Sequence, residues 1–254
     1  MRSITTLLLA VCLLITSSLV GINKATAAAT VLLWPIDPWL GAEMNATELW
    51  IENQGNSATT MQVRIVRWTQ EGGYERYQAQ QDVVASPPIL RIDRGSKQLI
   101  RLIKQTGAPS GTEKAYRIII DEIPQPNEPA TPQMGIKLQM RYSLPLFVYG
   151  NGIRTQVNAA EHADVDKSRL RWRTVQQQGK PALEITNSGN VHLRLSQVSI
   201  EQNGKKHKLG EGLLGYVLPG QTRHWPLPAG VTRPDELRAT INARDAQWHS
   251  APGN

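Results

Sequence analysis

Few residues of this chain have the type and spacing that catalysis or metal binding needs. The sequence has no Gly-x-Ser-x-Gly nucleophile motif and no glycine-rich phosphate loop. The acidic neighbours Asp121 and Glu122 would point to opposite faces of a strand, which does not suit paired carboxylate chemistry. The five histidines show no metal-ligand spacing; they are His162, His192, His207, His224 and His249. The sequence therefore predicts a binding protein with no cofactor and no metal, and a hydrolase using scattered carboxylates is a distant alternative.

The most informative segment for binding is residues 135–147. Large apolar side chains fall on every second position, at Ile136, Leu138, Met140 and Tyr142, with polar residues between them. A period of two predicts a β-strand, and Pro145 favours a sheet edge or a strand end. An apolar edge strand is normally an aggregation hazard that charges or bulges suppress. Either this row faces the core of its own domain or the strand pairs with another chain.

Short strands dominate the rest of the sequence. Apolar alternation predicts strands at 47–52, 61–65, 99–103 and 116–120, and again at 170–172, 183–185 and 193–195. Turn residues separate them, as in Asn53-Gln54-Gly55-Asn56 and Ser86-Pro87-Pro88. No window shows a sustained amphipathic helix. We therefore predict an all-β fold with one sandwich over residues 28–150 and a smaller β-sandwich over residues 151–254.

The amino-terminal residues have the features of a secretory signal peptide. Arg2 precedes an apolar stretch, and small residues lead to an Ala-x-Ala exit that places cleavage after Ala27. The apolar stretch is short for a membrane anchor. Cys12 is the only cysteine, so the exported chain has no disulfide and depends on its apolar core. We expect a periplasmic protein with no membrane anchor after residues 1–27 are removed.

The basic character of the chain suggests an acidic partner or a partner with a free carboxylate. The full chain carries a net charge of +7, from 28 basic and 21 acidic residues. Removal of Arg2 and Lys24 leaves 26 basic residues against 21 acidic ones, a charge of +5. The basic residues are scattered, which argues against nucleic acid and leaves a solvated basic surface as the alternative.

Four segments resemble the periplasmic chaperones of chaperone–usher pilus assembly. Residues 85–102 are similar to a mid-domain stretch of that family, and residues 116–124 to its aromatic strand ending in Glu-Ile-Pro. Residues 136–149 resemble the last strand of its first domain, with Leu-Phe-x-Tyr before the linker. Residues 183–195 resemble the opening of its second domain. The resemblance covers nearly all of the chain that follows the signal peptide.

The resemblance implies two immunoglobulin-like domains in an L or boomerang arrangement, and a role in strand donation. In this family the chaperone lends an edge strand to a pilin-like subunit that lacks its own last strand, and delivers the subunit to an outer-membrane usher. The lent residues would be Ile136, Leu138 and Met140, with Tyr142 continuing the row. Because an exposed apolar strand seldom stays unpaired, we also expect the free protein to be capable of self-association.

The chain departs from well-studied members at the anchor for the carboxylate of the subunit. Those members use an Arg on the first strand and a Lys near the end of the lent strand. Here residues 33–38 contain no basic residue, and Pro145 stands at the Lys position. The pattern looks instead like the archaic, Csu-type branch. A carboxylate still requires a charge-assisted partner, and the candidates are Arg117 first and Arg141 second.

The main alternative from another functional class is a secreted adhesive or carbohydrate-binding protein with two immunoglobulin-like domains. It would require an exposed aromatic platform, for which Trp34 and Trp39 are the best candidates among the seven tryptophans. It would also leave the apolar row of residues 136–142 covered by its own domain.

Overall fold

The computed structural model describes residues 31–124, 139–155, 163–242 and 247–252. These residues form an all-β protein with two immunoglobulin-like sandwiches, which confirms the predicted fold class. A short 3-10 turn, Lys167–Arg169, precedes the strands of the second sandwich. The predicted signal peptide lies outside the described residues. No helix among the described residues is long and apolar enough to cross a membrane.

The first sandwich contains ten strands. They are β1 (Val31–Trp34), β2 (Trp39–Leu40), β3 (Ala46–Asn53), β4 (Thr59–Glu71), β5 (Tyr74–Gln78), β6 (Val83–Ser86), β7 (Ile89–Ile92), β8 (Lys97–Lys104), β9 (Glu113–Ile123) and β10 (Arg141–Tyr149). One sheet has the order β1-β3-β8-β6, and the other has β2-β10-β9-β4-β5 with β7 also paired to β4.

The core of the first sandwich lies between these two sheets. Alternation along β4 turns Met61, Val63 and Ile65 inward, as the sequence predicts. They meet Ile100 and Leu102 of β8 across the sandwich. The chain crosses from one sheet to the other at Pro87-Pro88. These prolines lie between β6 and β7, which belong to different sheets.

The second sandwich contains eight strands. They are β11 (Leu170–Gln177), β12 (Lys180–Asn187), β13 (Leu193–Gln202), β14 (Lys205–Lys208), β15 (Leu213–Val217), β16 (Thr222–Pro226), β17 (Glu236–Ile241) and β18 (Gln247–Ser250). One sheet has the order β11-β12-β16, and the other has β14-β13-β17-β18 with β15 also paired to β13.

The two sandwiches pack against each other at a surface that we call the junction. On the first sandwich it is formed by Trp68, Phe147 and Tyr149, which belong to the same apolar cluster as the core of the second sandwich. On the second sandwich Tyr216 and His192 face them. The division after residue 150 and the boomerang arrangement stay predictions.

Candidate functional site

The strand β10 has an open edge over most of its length. On one side all nine residues, Arg141–Tyr149, pair antiparallel with β9. On the other side β2 pairs only with Phe147 and Val148. Residues 141–146 therefore have no strand partner on that side among the described residues. The predicted sheet edge is present, and Pro145, which has no N–H to donate, lies near its end.

Side chains at even positions of β10 point between the sheets of the first sandwich. Leu146 and Val148 are buried in its core, and Tyr142 and Leu144 are partly buried against it. Met140 precedes the strand and is half-buried, with its carbonyl accepting a hydrogen bond of 3.1 Å from the Glu122 amide. The same row thus passes from full burial at the junction to partial exposure at the open end. Ile136 and Leu138 lie outside the described residues.

The outer face of the same sheet is organised in rows of residues that pair across strands. The row closest to the second sandwich pairs Glu113 with Tyr149. The next row pairs Ala115 with Phe147. The third pairs Arg117 with Pro145 of β10 and Val66 of β4. Because the first two rows are buried by the second sandwich, Arg117 lies at the rim of the junction.

Aromatic rings hold the guanidinium of Arg117. Its Cζ lies 3.8 Å from the ring centroid of Trp68 and 5.5 Å from that of Tyr216, which belongs to the second sandwich. Its Nε is buried and has no hydrogen-bond partner among the described residues. Stacking orients this cation without neutralising it. Such a group is suited to binding a carboxylate at the junction.

Arg141 has a different environment. Its guanidinium forms an ion pair with Asp121, and its side chain is 68% exposed. Arg64 also contacts Asp121, at 2.6 Å. Burial alone would raise the pKa of Asp121, but hydrogen bonds from Arg141 and Arg64 and their charges lower it below its ordinary value. Arg141 is four residues from Pro145 along β10, about 13 Å from the row of Arg117, so the two candidates do not share one site.

Two residues missed by the sequence interpretation lie on β5, the strand beyond β4 in the same sheet. Tyr77 of β5 pairs with Trp68 in the second row, and Glu75 lies two residues away on the same face. Glu75 forms an ion pair of 3.2 Å with Arg223 of β16, across the junction. These two residues are 148 positions apart in the chain, and no local pattern indicates that they meet.

Three of the described histidines, His192, His224 and His249, each pair with a single carboxylate at separate places. His192 Nδ1 lies 2.8 Å from Glu113 Oε2 at the junction, and His224 Nε2 lies 2.9 Å from Glu184 Oε2. The described residues contain no group of three or more side chains suited to a metal ion. His162 lies outside them.

The two tryptophans predicted as a ligand platform do not form one together. Trp34 ends β1 and stacks on Trp50 of β3, with ring centroids 6.1 Å apart and planes 8° from parallel. Lys97 of β8 lies 5.4 Å from the Trp50 ring centroid. Trp39 lies in the other sheet and contacts Tyr149 at the junction, 6.0 Å between centroids. Trp34 and Trp39 therefore lie in different sheets and share no aromatic surface.

Comparison with known proteins gives a family match over the first sandwich. Residues 39–154 match the family model described as the pili and flagellar-assembly chaperone, PapD N-terminal domain. A comparison with curated protein sequences finds no match.

Solved structures extend the similarity to both sandwiches. The chain is similar to the CsuC–CsuE chaperone–tip adhesion subunit pre-assembly complex from archaic chaperone-usher Csu pili of Acinetobacter baumannii. The identity is 29% and the TM-score 0.68, over 87% of this chain and 97% of that chain. The Salmonella enterica SafA pilin in complex with the SafB chaperone gives 17% identity and a TM-score of 0.65, over 91% and 100%. The Pseudomonas aeruginosa CupB2 chaperone gives 15% and 0.59, over 87% and 100%. At these two lower identities the likeness concerns the fold alone.

These findings identify the class of the protein. The match of residues 39–154 to the pilus-assembly chaperone family and the similarity to a chaperone of archaic Csu pili support a Csu-like pilus chaperone. This agrees with the predicted resemblance to the archaic branch. Chaperones of this class are periplasmic.

Proposed function

We propose that this chaperone folds and caps pilin-like subunits by donor-strand complementation and delivers them to an outer-membrane usher, without catalytic activity. The observation that carries the proposal is the open edge of β10 at residues 141–146. Its backbone groups offer a partner chain a ready template for strand addition. We further propose that residues 1–27 export the chain and are removed, and that the free protein self-associates through the same edge.

The donated side chains would be Ile136, Leu138, Met140 and Tyr142, the row that faces between the sheets where it is described. Burial of each large apolar side chain stabilises a complex by about 1.5–3 kcal/mol. Three or four of them contribute on the order of 5–10 kcal/mol before association costs. A complex of this strength is stable, yet a strand from the next subunit that packs better can replace the donor.

The carboxylate anchor would be Arg117, with Arg141 as the second candidate. Position favours Arg117, because it lies beside Pro145 on the neighbouring strand and at the junction. Pairing also favours it, since the cation of Arg141 already has a carboxylate partner in Asp121. A guanidinium held by two aromatic rings is oriented before the ligand arrives, which reduces the entropy lost on binding.

Periplasmic co-expression with the neighbouring subunit genes, followed by affinity capture, tests strand donation. We expect the tagged wild type to co-purify a soluble subunit and Leu138→Asp to lose it. The matched control is Gln139→Asp, which places the same charge one residue further along the chain, where strand alternation would turn the side chain away from the row. Capture by Leu138→Asp at the wild-type level, with a normal melting temperature, would contradict the proposal.

The same assay distinguishes the two anchors. Met approximates the length of an arginine stem and removes the charge, so Arg117→Met should reduce capture while the stacking on Trp68 is largely kept. Arg141→Met should leave capture unchanged. The reverse result would move the anchor to Arg141, and loss in neither variant would refute both candidates.

A further inference from the structure

The backbone groups of β10 alternate between its two edges. The carbonyl of Met140 accepts a hydrogen bond of 3.1 Å from the Glu122 amide, and the Gly150 amide donates one of 2.9 Å to the Thr112 carbonyl. Met140 and Gly150 flank the strand, and both occupy even positions. Because the direction of hydrogen bonding alternates along an antiparallel pair, even residues of β10 direct their N–H and C=O groups at β9. Odd residues therefore direct theirs at the open edge.

Only three odd residues of this edge are available to a further strand. β2 occupies Phe147 and Val148, which leaves Arg141, Ser143 and Pro145. Each of the three offers a carbonyl, but Pro145 has no N–H, so the last N–H of the open edge before β2 is that of Ser143. The same alternation explains how a proline fits inside β10. Its nitrogen faces away from β9, so the ladder between these two strands loses no hydrogen bond.

The apolar row of this segment does not by itself fix the register of a partner strand. A large apolar residue stands at every even position from 136 to 146: Ile136, Leu138, Met140, Tyr142, Leu144 and Leu146. A slip of the pairing by one residue would turn the row to the wrong face, whereas a slip by two brings each apolar side chain to the place of the next. The side-chain pattern therefore excludes odd slips and permits even ones, so the choice among even registers depends on the backbone.

We propose that Pro145 makes this choice: it ends the ladder of hydrogen bonds to the partner strand at Ser143, and thereby sets the register in which a subunit pairs with β10. The inference rests on the proposed function and adds a positioning residue to it. A partner strand shifted by one ladder step toward β2 would bring a carbonyl against Pro145, where it meets no N–H donor. A carbonyl left unpaired in this way disfavours the shifted register by about fivefold or more.

The burial of Pro145 makes the missing donor effective. Pro145 is buried, whereas Arg141 and Ser143, which share its face of the sheet, are exposed. At an exposed position water would supply the hydrogen bond that the proline cannot, but at a buried position the carbonyl stays unsatisfied. The proline therefore lies where the open edge meets the junction, at the one ladder step between Ser143 and the residues that β2 occupies.

Amide hydrogen exchange of the isotopically labelled chaperone tests the ladder residue by residue, with the co-expressed subunit bound and without it. The free protein is measured at a concentration at which it sediments as a monomer. We expect the amides of Arg141 and Ser143 to exchange at least about tenfold more slowly in the complex. In Pro145→Ala, the new amide at position 145 should gain similar protection on binding. If that amide exchanges equally fast in the free and bound protein, the partner strand does not use position 145 and the proposal is overturned.

Disulfide cross-linking measures the register directly. Cys12 is the only cysteine of the chain and lies in the predicted signal peptide, so Ser143→Cys gives the exported protein a single thiol on the open edge. Single cysteines are then placed along the strand of the co-purified subunit that pairs with β10. We expect one maximum of cross-linking when Pro145 is present. With Pro145→Ala added, a second maximum should appear two residues along the subunit strand. The same single maximum in both proteins would refute a role for Pro145 in setting the register.

Prolines placed at neighbouring positions separate pairing from folding. Ser143→Pro removes an N–H that faces the open edge, so this variant should melt close to the wild type but capture the subunit more weakly. Leu144→Pro removes an N–H that bonds to β9, so it should lower the melting temperature far more. Equal destabilisation by the two substitutions would contradict the alternation of backbone groups on which the proposal depends.

Two outcomes distinguish this inference from the function that it rests on. If the wild type captures the subunit and the amides of Arg141 and Ser143 become protected, but Pro145→Ala changes neither the ladder nor the register, this inference alone is overturned. If the folded wild type captures no subunit, the proposed function is overturned with it.

Discussion

At the scale of single residues, buried polar groups join loops to strands. Asp82, in the segment before β6, accepts hydrogen bonds from the Tyr116 hydroxyl at 2.7 Å and from Lys114 Nζ and Arg67 Nη1 at 3.1 Å each. Burial alone would raise the pKa of Asp82. The hydrogen bonds from Tyr116 and Lys114, with the charges of Lys114 and Arg67, lower it below its ordinary value of 3.8. The ionised form therefore stabilises the fold.

This arrangement makes the stability supplied by Asp82 dependent on pH. A carboxyl group with a lowered pKa contributes stability that is fully present above its unfolded value and is lost as the pH falls through its folded value. We expect Asp82→Asn to lower the free energy of unfolding by roughly 1–3 kcal/mol at pH 7. The difference from the wild type should shrink as the pH falls below the ordinary carboxyl pKa of 3.8 and disappear only below the lower pKa of the folded state. Thermal melts across pH measure this, with the exposed Asp93→Asn as control. A difference that persists unchanged in acid would contradict it.

Two buried asparagines show what the sequence could and could not predict. Asn53 and Asn187 both begin turns that the residue types indicate correctly. In each, the side-chain amide donates to two backbone carbonyls and its oxygen accepts from the glycine amide two residues later, at Gly55 and Gly189. The turn is a local property, but the carbonyl of Ile92 that Asn53 reaches comes from another strand. No local sequence pattern predicts the hydrogen bond from Asn53 to the Ile92 carbonyl.

At the scale of elements, the two-residue periodicity of the sequence predicted most of the long strands. It did not predict the very short strand β2. The strands predicted at 47–52, 99–103 and 116–120 lie within β3, β8 and β9. β2 has only two residues, too few for a period to be visible, and it pairs in parallel with the end of β10. The open edge of β10 therefore ends at Leu146. The sequence predicted this sheet edge. The length of the open edge depends on β2, which pairs with the end of β10 and is too short to be seen in the sequence pattern.

Gly150, which follows β10, fixes the end of that strand against the segment that precedes β9. Its amide donates a 2.9 Å hydrogen bond to the Thr112 carbonyl, and an added Cβ would lie 2.0 Å from the carbonyl oxygen of Pro109. Because this neighbour is backbone, the clash cannot be relieved by a side-chain rotation. We expect Gly150→Ala to cost about 3 kcal/mol or more, which lowers the melting temperature by roughly 6–12 °C or more or prevents accumulation. Gly107→Ala, where an added Cβ meets nothing within 4 Å, is the control. Equal melting of the two variants would disprove this account.

At the scale of the whole molecule, the junction makes the two sandwiches one structural unit. Phe147 stacks on the ring of His192, with centroids 3.5 Å apart, and His192 pairs with Glu113. The apolar cluster of the second sandwich continues into the first through Trp68. Most interfaces between domains of one chain are polar and permit relative motion unless they are large and apolar. Here the apolar continuity fixes Arg117 between Trp68 of the first sandwich and Tyr216 of the second, so the proposed anchor depends on the junction as much as on either sandwich.

Gln70 provides the clearest test of that dependence. It is 1% exposed, and its amide donates to the Tyr216 carbonyl and accepts from the Leu218 amide, both at 2.9 Å. If the junction couples the sandwiches, the wild type should unfold in one calorimetric transition, with equal van't Hoff and calorimetric enthalpies. Gln70→Ala leaves two buried backbone groups unpaired, at a cost of roughly 1–3 kcal/mol each. We expect it to separate the transition into two and to weaken subunit capture.

The control for Gln70→Ala is Gln62→Ala, on the same strand and the same outer face, in the row of Asp121 far from the second sandwich. It should keep a single transition close to that of the wild type and full capture. Two transitions in the wild type itself would show that the sandwiches unfold independently. In that case the position of Arg117 relative to Tyr216 would not be set before binding, and the subunit would have to order the junction as it binds. The affinity of the chaperone for the subunit would then be reduced by the entropy lost in that ordering. The Gln70→Ala substitution would leave this affinity unchanged.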